Sequence, residues 1–182
     1  MSVITLPDAG AWVIDPTHTA VTFSARHLMA AKVRGSFKAF SGEIDVDENH
    51  EASAVSVSID AASIDTGTAD RDNHLRSPDF LDVENFPTIE FKSSAVRSAG
   101  DGYEIDGDLA IRGTSHPVTL TTEYFGVMAD PWGNEKALFS AVTEINREDF
   151  GLTWNAPLEA GGVLVGKKVA IEIEVQAAKA QG

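Results

Sequence analysis

The sequence predicts an all-β protein: an extended antiparallel barrel of about eight strands with one short helical insert near residues 68–82. Three observations lead there. Apolar and polar residues alternate through most of the chain, so one face of each strand is buried and the other wet, as antiparallel sheets allow. The alternation is long: Thr17 to Leu28 and Ser36 to Glu48, if continuous, would each span on the order of 40 Å at about 3.3 Å per residue, about double a common strand. The apolar parity also slips by one residue in two places. A slip needs a bulge or kink, and those bend a sheet into a closed barrel.

The elements follow in order. After Trp12, the residues Val21, Phe23, Ala25 and His27 alternate with Thr22, Ser24 and Arg26. Val33, Gly35 and Phe37 are odd, whereas Phe40, Ile44 and Val46 are even, which places the first slip between Phe37 and Phe40. Val55, Val57 and Ile59 form the next run, then Ile89 with Phe91, then Tyr103, Ile105, Leu109 and Ile111. Val118 to Tyr124 hold even parity, but Phe125 and Val127 are odd, which is the second slip. Val169, Ile171, Ile173 and Val175 form the last strand. Turns fall at Asn49, Gly100-Asp101-Gly102, Gly113-Thr114-Ser115 and Gly133-Asn134. The tail from Gln176 reads as a frayed end. With no repeat or linker, residues 1–182 form one domain with a core over about 11–178.

Composition narrows the partners. With 14 Lys+Arg against 28 Asp+Glu, the net charge is −14. Nucleic acid and anionic membrane surfaces demand clustered positive charge, so neither is expected. There is no cysteine, hence no disulfide, thiolate metal site or thiol nucleophile. No apolar run is long enough for a membrane span. Residues 1–12 lack a basic segment followed by an apolar one. The expectation is a soluble, cytoplasmic protein, or a periplasmic or secreted one if a leader precedes this sequence.

One stretch breaks the alternation. Between Thr66 and Pro87, Arg71, Asp72, His74 and Arg76 stand beside Leu75, Phe80, Leu81 and Phe86. A charged, partly helical insert with large apolar residues in an all-β chain reads as a lid. The inward set beneath it is expected to be Val21, Phe23, Ala25, His27, Val33, Phe37, Phe40, Ile89, Phe91, Leu109, Ile111, Phe125 and Phe139. Small inward residues, Ala25, Gly35 and Gly107, would leave room between large ones. Two readings stand. Large and small side chains interdigitate into a solid core, or an apolar lumen holds a long, thin lipid. Each buried methylene gives about 0.8 kcal/mol, so a chain of ten or more needs no strong polar anchor.

Motifs for other chemistry fail. Gly161 to Lys168 nearly matches a phosphate loop, but Lys168 replaces the required Ser/Thr and a strand follows where a helix should. The five histidines show no metal-binding spacing, so no metal is expected. There is no GxSxG elbow. Arg71, Asp72 and His74 invite an acid–base reading; with Arg76 they fit better an ion-paired cluster fixing the insert to the rim.

Arg71-Asp72-x-His74-Leu75-Arg76-Ser77-x-Asp79-Phe80-Leu81-Asp82, then Phe86-Pro87-Thr88-Ile89-x-Phe91, closely resembles the signature of the YceI-like family. Trp12 to Pro16, His18, Val33-Arg34-Gly35-x-Phe37, Ile64-Asp65-Thr66, Gly107-Asp108-Leu109-x-Ile111-x-Gly113, His116-Pro117-Val118, Trp132-Gly133 and Asn146-Arg147-x-Asp149-Phe150-Gly151 extend the resemblance over nearly the whole chain. Leu81 departs from it, since the family often has a second Phe there. The resemblance implies a lipocalin-like barrel holding a polyisoprenoid, isoprenoid quinone or fatty-acid-like lipid. It implies no catalytic residues, no metal and no cofactor besides the bound lipid, a homodimer, and often a periplasmic location. The expected function is non-enzymatic binding, transport or storage of such a lipid. The rivals are an enzyme acting on a lipophilic substrate through Arg71, Asp72 and His74, and a ligand-free, stress-linked interaction protein.

Overall fold

A computed structural model of the chain describes residues 6–28, 30–159 and 161–180. Eleven strands and one helix account for it: β1 (Gly10–Ile14), β2 (Ala20–His27), β3 (Ala31–Phe37), β4 (Phe40–Val46), β5 (Ala54–Asp60), β6 (Ile64–Asp65), α1 (Ala69–Arg76), β7 (Thr88–Ala99), β8 (Gly102–Ile111), β9 (Thr114–Ala129), β10 (Glu135–Asn146) and β11 (Val165–Lys179). All pairings between strands are antiparallel. The order β1-β4-β5-β7-β8-β9-β10-β11 closes through β1–β11 into a ring of eight. At the other end of β11 its free edge passes to β2, which pairs with β3, which pairs with β6. This is the closed antiparallel barrel that the alternation predicts.

Neither of the two longest predicted strands runs its full length. The first starts only at Ala20 and forms β2, because residues 15–19 make the turn in which Asp15 collects polar groups. The Thr17 hydroxyl donates to Oδ1 at 2.7 Å, His18 Nδ1 lies 2.8 Å from Oδ2, and Lys136 Nζ donates to Oδ2 at 3.0 Å. These contacts, the Thr17 hydroxyl first, hold the Asp15 carboxyl well below the usual carboxylate range. The second divides at Lys38-Ala39, where the Lys38 amide donates to Ser63 instead of a strand neighbour. That break is the first parity slip. The second slip is a bulge: Tyr124 faces Phe139 and Gly126 faces Leu138, so Phe125 is the extra residue. The long strands are β9, with 16 residues, and β11, with 15. The expected frayed tail is also corrected, because Ala177 lies in β11 and is fully buried.

Turn chemistry matches the reading. Gly100, Gly113 and Gly133 adopt φ of 58°, 73° and 83°, left-handed backbone that a side chain strains. The near phosphate loop leads straight into β11.

The core has two parts. Trp12, Val46, Phe139, Ala137 and Ala177 plug the end where β1 closes the ring. Trp12 is 1% exposed and its indole donates to the Asp8 carbonyl at 2.9 Å. The larger part lines the barrel towards the helical end, with Ile64, Leu81, Phe91, Leu109, Leu120 and Phe150 among its buried members. Small inward residues do not simply leave room. A Cβ on Gly35 would lie 2.4 Å from the Phe23 ring, and one on Gly107 would lie 2.5 Å from both the Phe91 ring and the Lys92 carbonyl oxygen. Each glycine is a seat for a neighbouring aromatic ring.

The expected consequence is that Gly107→Ala destabilises the protein by about 1–3 kcal/mol, because neither the ring nor the carbonyl can withdraw without moving its strand. Urea denaturation measures it; an unchanged midpoint would show that the ring is free to move.

Candidate functional site

Inside the barrel lies a cavity of about 270 Å³ whose exposed wall is wholly apolar. It runs most of the barrel's height. Along β11 alone it touches Val165, Val169, Ile171, Ile173 and Val175, a stretch of roughly 33 Å at about 3.3 Å per residue. The volume is slightly below that of common ligand pockets, roughly 300–1,000 Å³, but it is drawn out along the axis. Such a shape fits a slender chain better than a compact ring system.

The wall is dry because its polar groups are consumed by the backbone. Thr19 and Thr22 donate to the Gln176 and Glu172 carbonyls at 3.2 and 3.0 Å. Thr122 donates to the Leu120 carbonyl at 3.3 Å. The Tyr103 hydroxyl lies 3.4 Å from His50 Nδ1, and burial raises its pKa. Arg147 is 3% exposed and has carbonyl partners for all its nitrogens. Nε donates to Gly166 at 2.8 Å, one terminal nitrogen to Leu152 at 2.6 Å and Trp154 at 3.0 Å, and the other to Val165 at 3.2 Å. Burial pulls its pKa below the ordinary arginine value, yet a guanidinium so held stays cationic and staples the 147–165 segment to β11.

The helical insert closes the end opposite Trp12. Helix α1 has one large apolar residue, Leu75, so its underside is completed by the turns that follow. The Leu81, Asp82 and Val83 amides donate to the Leu75, Ser77 and Arg76 carbonyls at 2.9, 3.0 and 3.1 Å, folding Phe80 and Leu81 back beneath the helix. Leu75, Phe80 and Leu81 all face the cavity. His74 closes the rim: Nε2 lies 2.8 Å from Asp79 Oδ2, and the ring stands edge-on to Trp154 at 4.6 Å and Phe80 at 5.1 Å.

The expected ion-paired cluster is corrected in its chemistry. Arg71, Asp72 and Arg76 hold the insert mainly by grasping backbone. Strand β6 is two residues long and pairs only with β3, which leaves nearby carbonyls for side chains to satisfy. Arg76 donates to the Ala62 and Ile64 carbonyls at 2.8 and 3.0 Å, and Arg71 to the Thr66 carbonyl at 2.8 Å and its hydroxyl at 2.7 Å. Buried Asp72 accepts from the Thr66 amide at 2.8 Å and hydroxyl at 2.5 Å. Burial alone would raise its carboxyl pKa, but the Thr66 hydrogen bonds and the charges of Arg76 and Arg71 outweigh it, so the pKa is lowered. The only ion pair joining these four residues to a carboxylate, among the described residues, is His74 with Asp79.

The structure brings Val21, Phe23, Ala25, Phe37, Phe40, Ile89, Phe91, Leu109, Ile111 and Phe139 onto the cavity wall with the three lid residues. Four expected members lie elsewhere. Phe125 is 57% exposed, because the bulge turns it outward. Phe86 covers bare backbone at the Arg112-Gly113 turn; a Cβ on Gly113 would lie 2.6 Å from its ring. His27 and Val33 are half-buried on the outer reach of the β2–β3 hairpin and do not touch the cavity. Other wall residues went unassigned. Val57, Ile59, Ile171 and Ile173 carried the alternation and were legible, whereas Ile64 sits in the two-residue strand β6, too short to show a period, and Leu152 in an irregular segment. Among the described residues no group of three His, Asp or Glu side chains is placed to hold a metal ion.

Known proteins share this architecture. The model of a family described as the YceI-like domain matches residues 12–177. A UPF0312 protein of Vibrio cholerae is 37% identical over 158 residues, which cover 83% of this chain and 84% of the Vibrio protein. The crystal structure of Burkholderia cenocepacia BcnA superposes with a TM-score of 0.78 at 24% identity, covering 90% of this chain and 98% of BcnA. A polyisoprenoid binding domain from Saccharophagus degradans, implicated in plant cell wall breakdown, superposes with a TM-score of 0.67 at 12% identity, covering 95% of this chain and all of that domain. At such identities these two structures carry the fold alone.

Replacing Asp72 by Asn is expected to cost about 1.5–3 kcal/mol near neutral pH, by weakening two charge-assisted hydrogen bonds. A carboxyl with a lowered folded pKa stabilises above its unfolded value and loses that contribution as pH falls through the folded one. The gap between wild type and variant should therefore be constant above about pH 5 and close on acidification below the ordinary carboxylate value, 3.8. Denaturation midpoints across pH measure it; a gap that persists in acid would assign the loss to shape instead of charge.

Proposed function

This chain belongs to the YceI-like family, and we propose that it is a binding protein, without catalytic residues, that holds a long isoprenoid or similar amphiphilic lipid in its lumen for transport or storage. The observation that carries this reading is the cavity: apolar throughout, enclosed by a complete ring of strands, and drawn out along the barrel axis. Every methylene that enters such a space leaves water, at about 0.8 kcal/mol each, and no polar wall atom is left to reward a polar ligand. The name of the Saccharophagus domain, which shares the fold, is consistent with a polyisoprenoid as the occupant.

The binding reading is favoured over catalysis by the fate of the insert's charges. Asp72, Arg71 and Arg76 are saturated by backbone and Thr66, and His74 sits at the rim between two aromatic rings. A general acid or base must reach the reacting atom, and these groups face structure. The solid-barrel reading is disfavoured by the cavity itself.

Native mass spectrometry of the full chain as purified tests the proposal, with organic extraction of the same sample. The expected result is an apolar mass that co-purifies and is released on denaturation. In an Ala25→Trp variant, which fills the lumen from its wall, retained lipid should fall at least tenfold while the barrel stays folded. Absence of any extractable lipid, with no uptake of added polyprenol, would overturn it.

A further inference from the structure

The β2–β3 hairpin carries a sign of charge the rest of the chain does not. From Pro16 to Gly42 there is no Asp or Glu, although the chain holds 28, and this stretch contains Arg26, Lys32, Arg34 and Lys38. The pairing puts Arg26 directly opposite Lys32 and Ser24 opposite Arg34, with all three cations exposed on the outer face. Like charges directly opposed in a sheet repel, so this arrangement costs stability. Among the described residues, none of the three has a carboxylate partner; Arg26 only donates to the Ala30 carbonyl at 3.0 Å, bracing the tip. Nearby Lys167 and Lys168 on β11, by contrast, are paired with Glu148 and Glu144 at 3.5 and 3.7 Å.

The tip adds a second cost. Leu28 is 53% exposed and its φ is 53°, a left-handed backbone unfavourable for leucine. Its amide is held by the Leu164 carbonyl at 2.9 Å, so the position is fixed. An exposed apolar residue at the end of a hairpin that carries unpaired cations fits an anionic surface with an oily interior. Nucleic acid would use the charge but not the leucine.

We propose that the tip of the β2–β3 hairpin docks the protein on an anionic lipid surface, with Arg26, Lys32 and Arg34 contacting headgroups and Leu28 entering the interface. This proposal concerns an outer surface and stands whatever fills the lumen. It departs from the expectation drawn from net charge. On the strands bonded to the hairpin, the sign changes along a single row: Glu172, Thr22, Ser36 and Asp65 lie side by side across three strand pairs, two positions from the row of Ser24 and Arg34. The Arg26–Lys32 pair lies four positions from that acidic row, about 13 Å at about 3.3 Å per residue and beyond the roughly 8 Å over which exposed charges act at physiological salt, so the acidic row does not cancel the basic tip.

Co-sedimentation of the full chain with vesicles tests this, comparing pure phosphatidylcholine with an equal mixture of phosphatidylcholine and phosphatidylglycerol. Partition is expected only onto the anionic vesicles and should weaken with salt. Each basic residue near such a surface is worth about fivefold, so the double variant Lys32→Gln, Arg34→Gln should lose about 25-fold. Leu28→Asn, which accepts the left-handed backbone, should lose about tenfold while keeping the salt dependence. Lys92→Gln, an exposed cation on β7, should change nothing, and circular dichroism confirms that each variant is folded. Equal partition onto neutral vesicles, an equal loss in Lys92→Gln, or binding to a short DNA duplex as tight as to anionic vesicles would overturn the proposal.

Discussion

The structure depends on one seam. Strand β11 pairs with β10 along its whole inner length, and its other edge must be covered by β1 and β2 together. If that edge were open, the row of unpaired amides and carbonyls would face water and the apolar inner face would lose its enclosure. Closure makes the lumen a separate compartment. That edge is shared by two separate strands, β1 on Ala177–Lys179 and β2 on Val165–Glu174, with the turn at residues 15–19 between them. The turn is stabilised by Asp15, whose carboxylate ties residues 15–18 to Lys136 on β10 across the seam.

Much of this was legible in the residues. The alternation identified the inward faces of six of the eight ring strands, all but β1 and β10, and the two parity slips marked the Lys38-Ala39 break and the Phe125 bulge. Strand continuity was not legible. Ser36 to Glu48 alternates well enough to read as one element yet breaks at Lys38-Ala39, and nothing local announces that Asp15 will gather Thr17, His18 and Lys136 in the turn that delays the start of β2. The direction of the bulged residue also escaped: parity said that Phe125 changes register, but the bulge puts it outside. The lid was readable as an insert, but its chemistry was not. Charges at Arg71, Asp72 and Arg76 suggest mutual pairing, whereas their targets are carbonyls left bare by the shortness of β6. A sequence does not display which backbone groups a sheet will fail to pair.

The glycines at 35 and 107 carry the same lesson inside the core. As small residues they suggest empty space; as neighbours of Phe23 and Phe91 they are flat ground on which rings lie. The cavity survives between these packed layers because the wall is made of apolar side chains, aliphatic and aromatic, and because buried polar groups such as Arg147 spend their hydrogen bonds on backbone carbonyls. Binding and stability thus draw on one apolar surface. A ligand that binds only the folded barrel adds to stability, and that gain grows with the logarithm of its free concentration above the Kd.

The central claim is that the lumen exists to be filled by a chain. A crystal structure of the protein as it emerges from cells, without added ligand, tests that most directly. The account predicts continuous, elongated density along the β11 wall from Val165 to Val175, capped by Leu75, Phe80 and Leu81. A lumen closed by rotated side chains, or one occupied by ordered waters hydrogen-bonded to its wall, would contradict it.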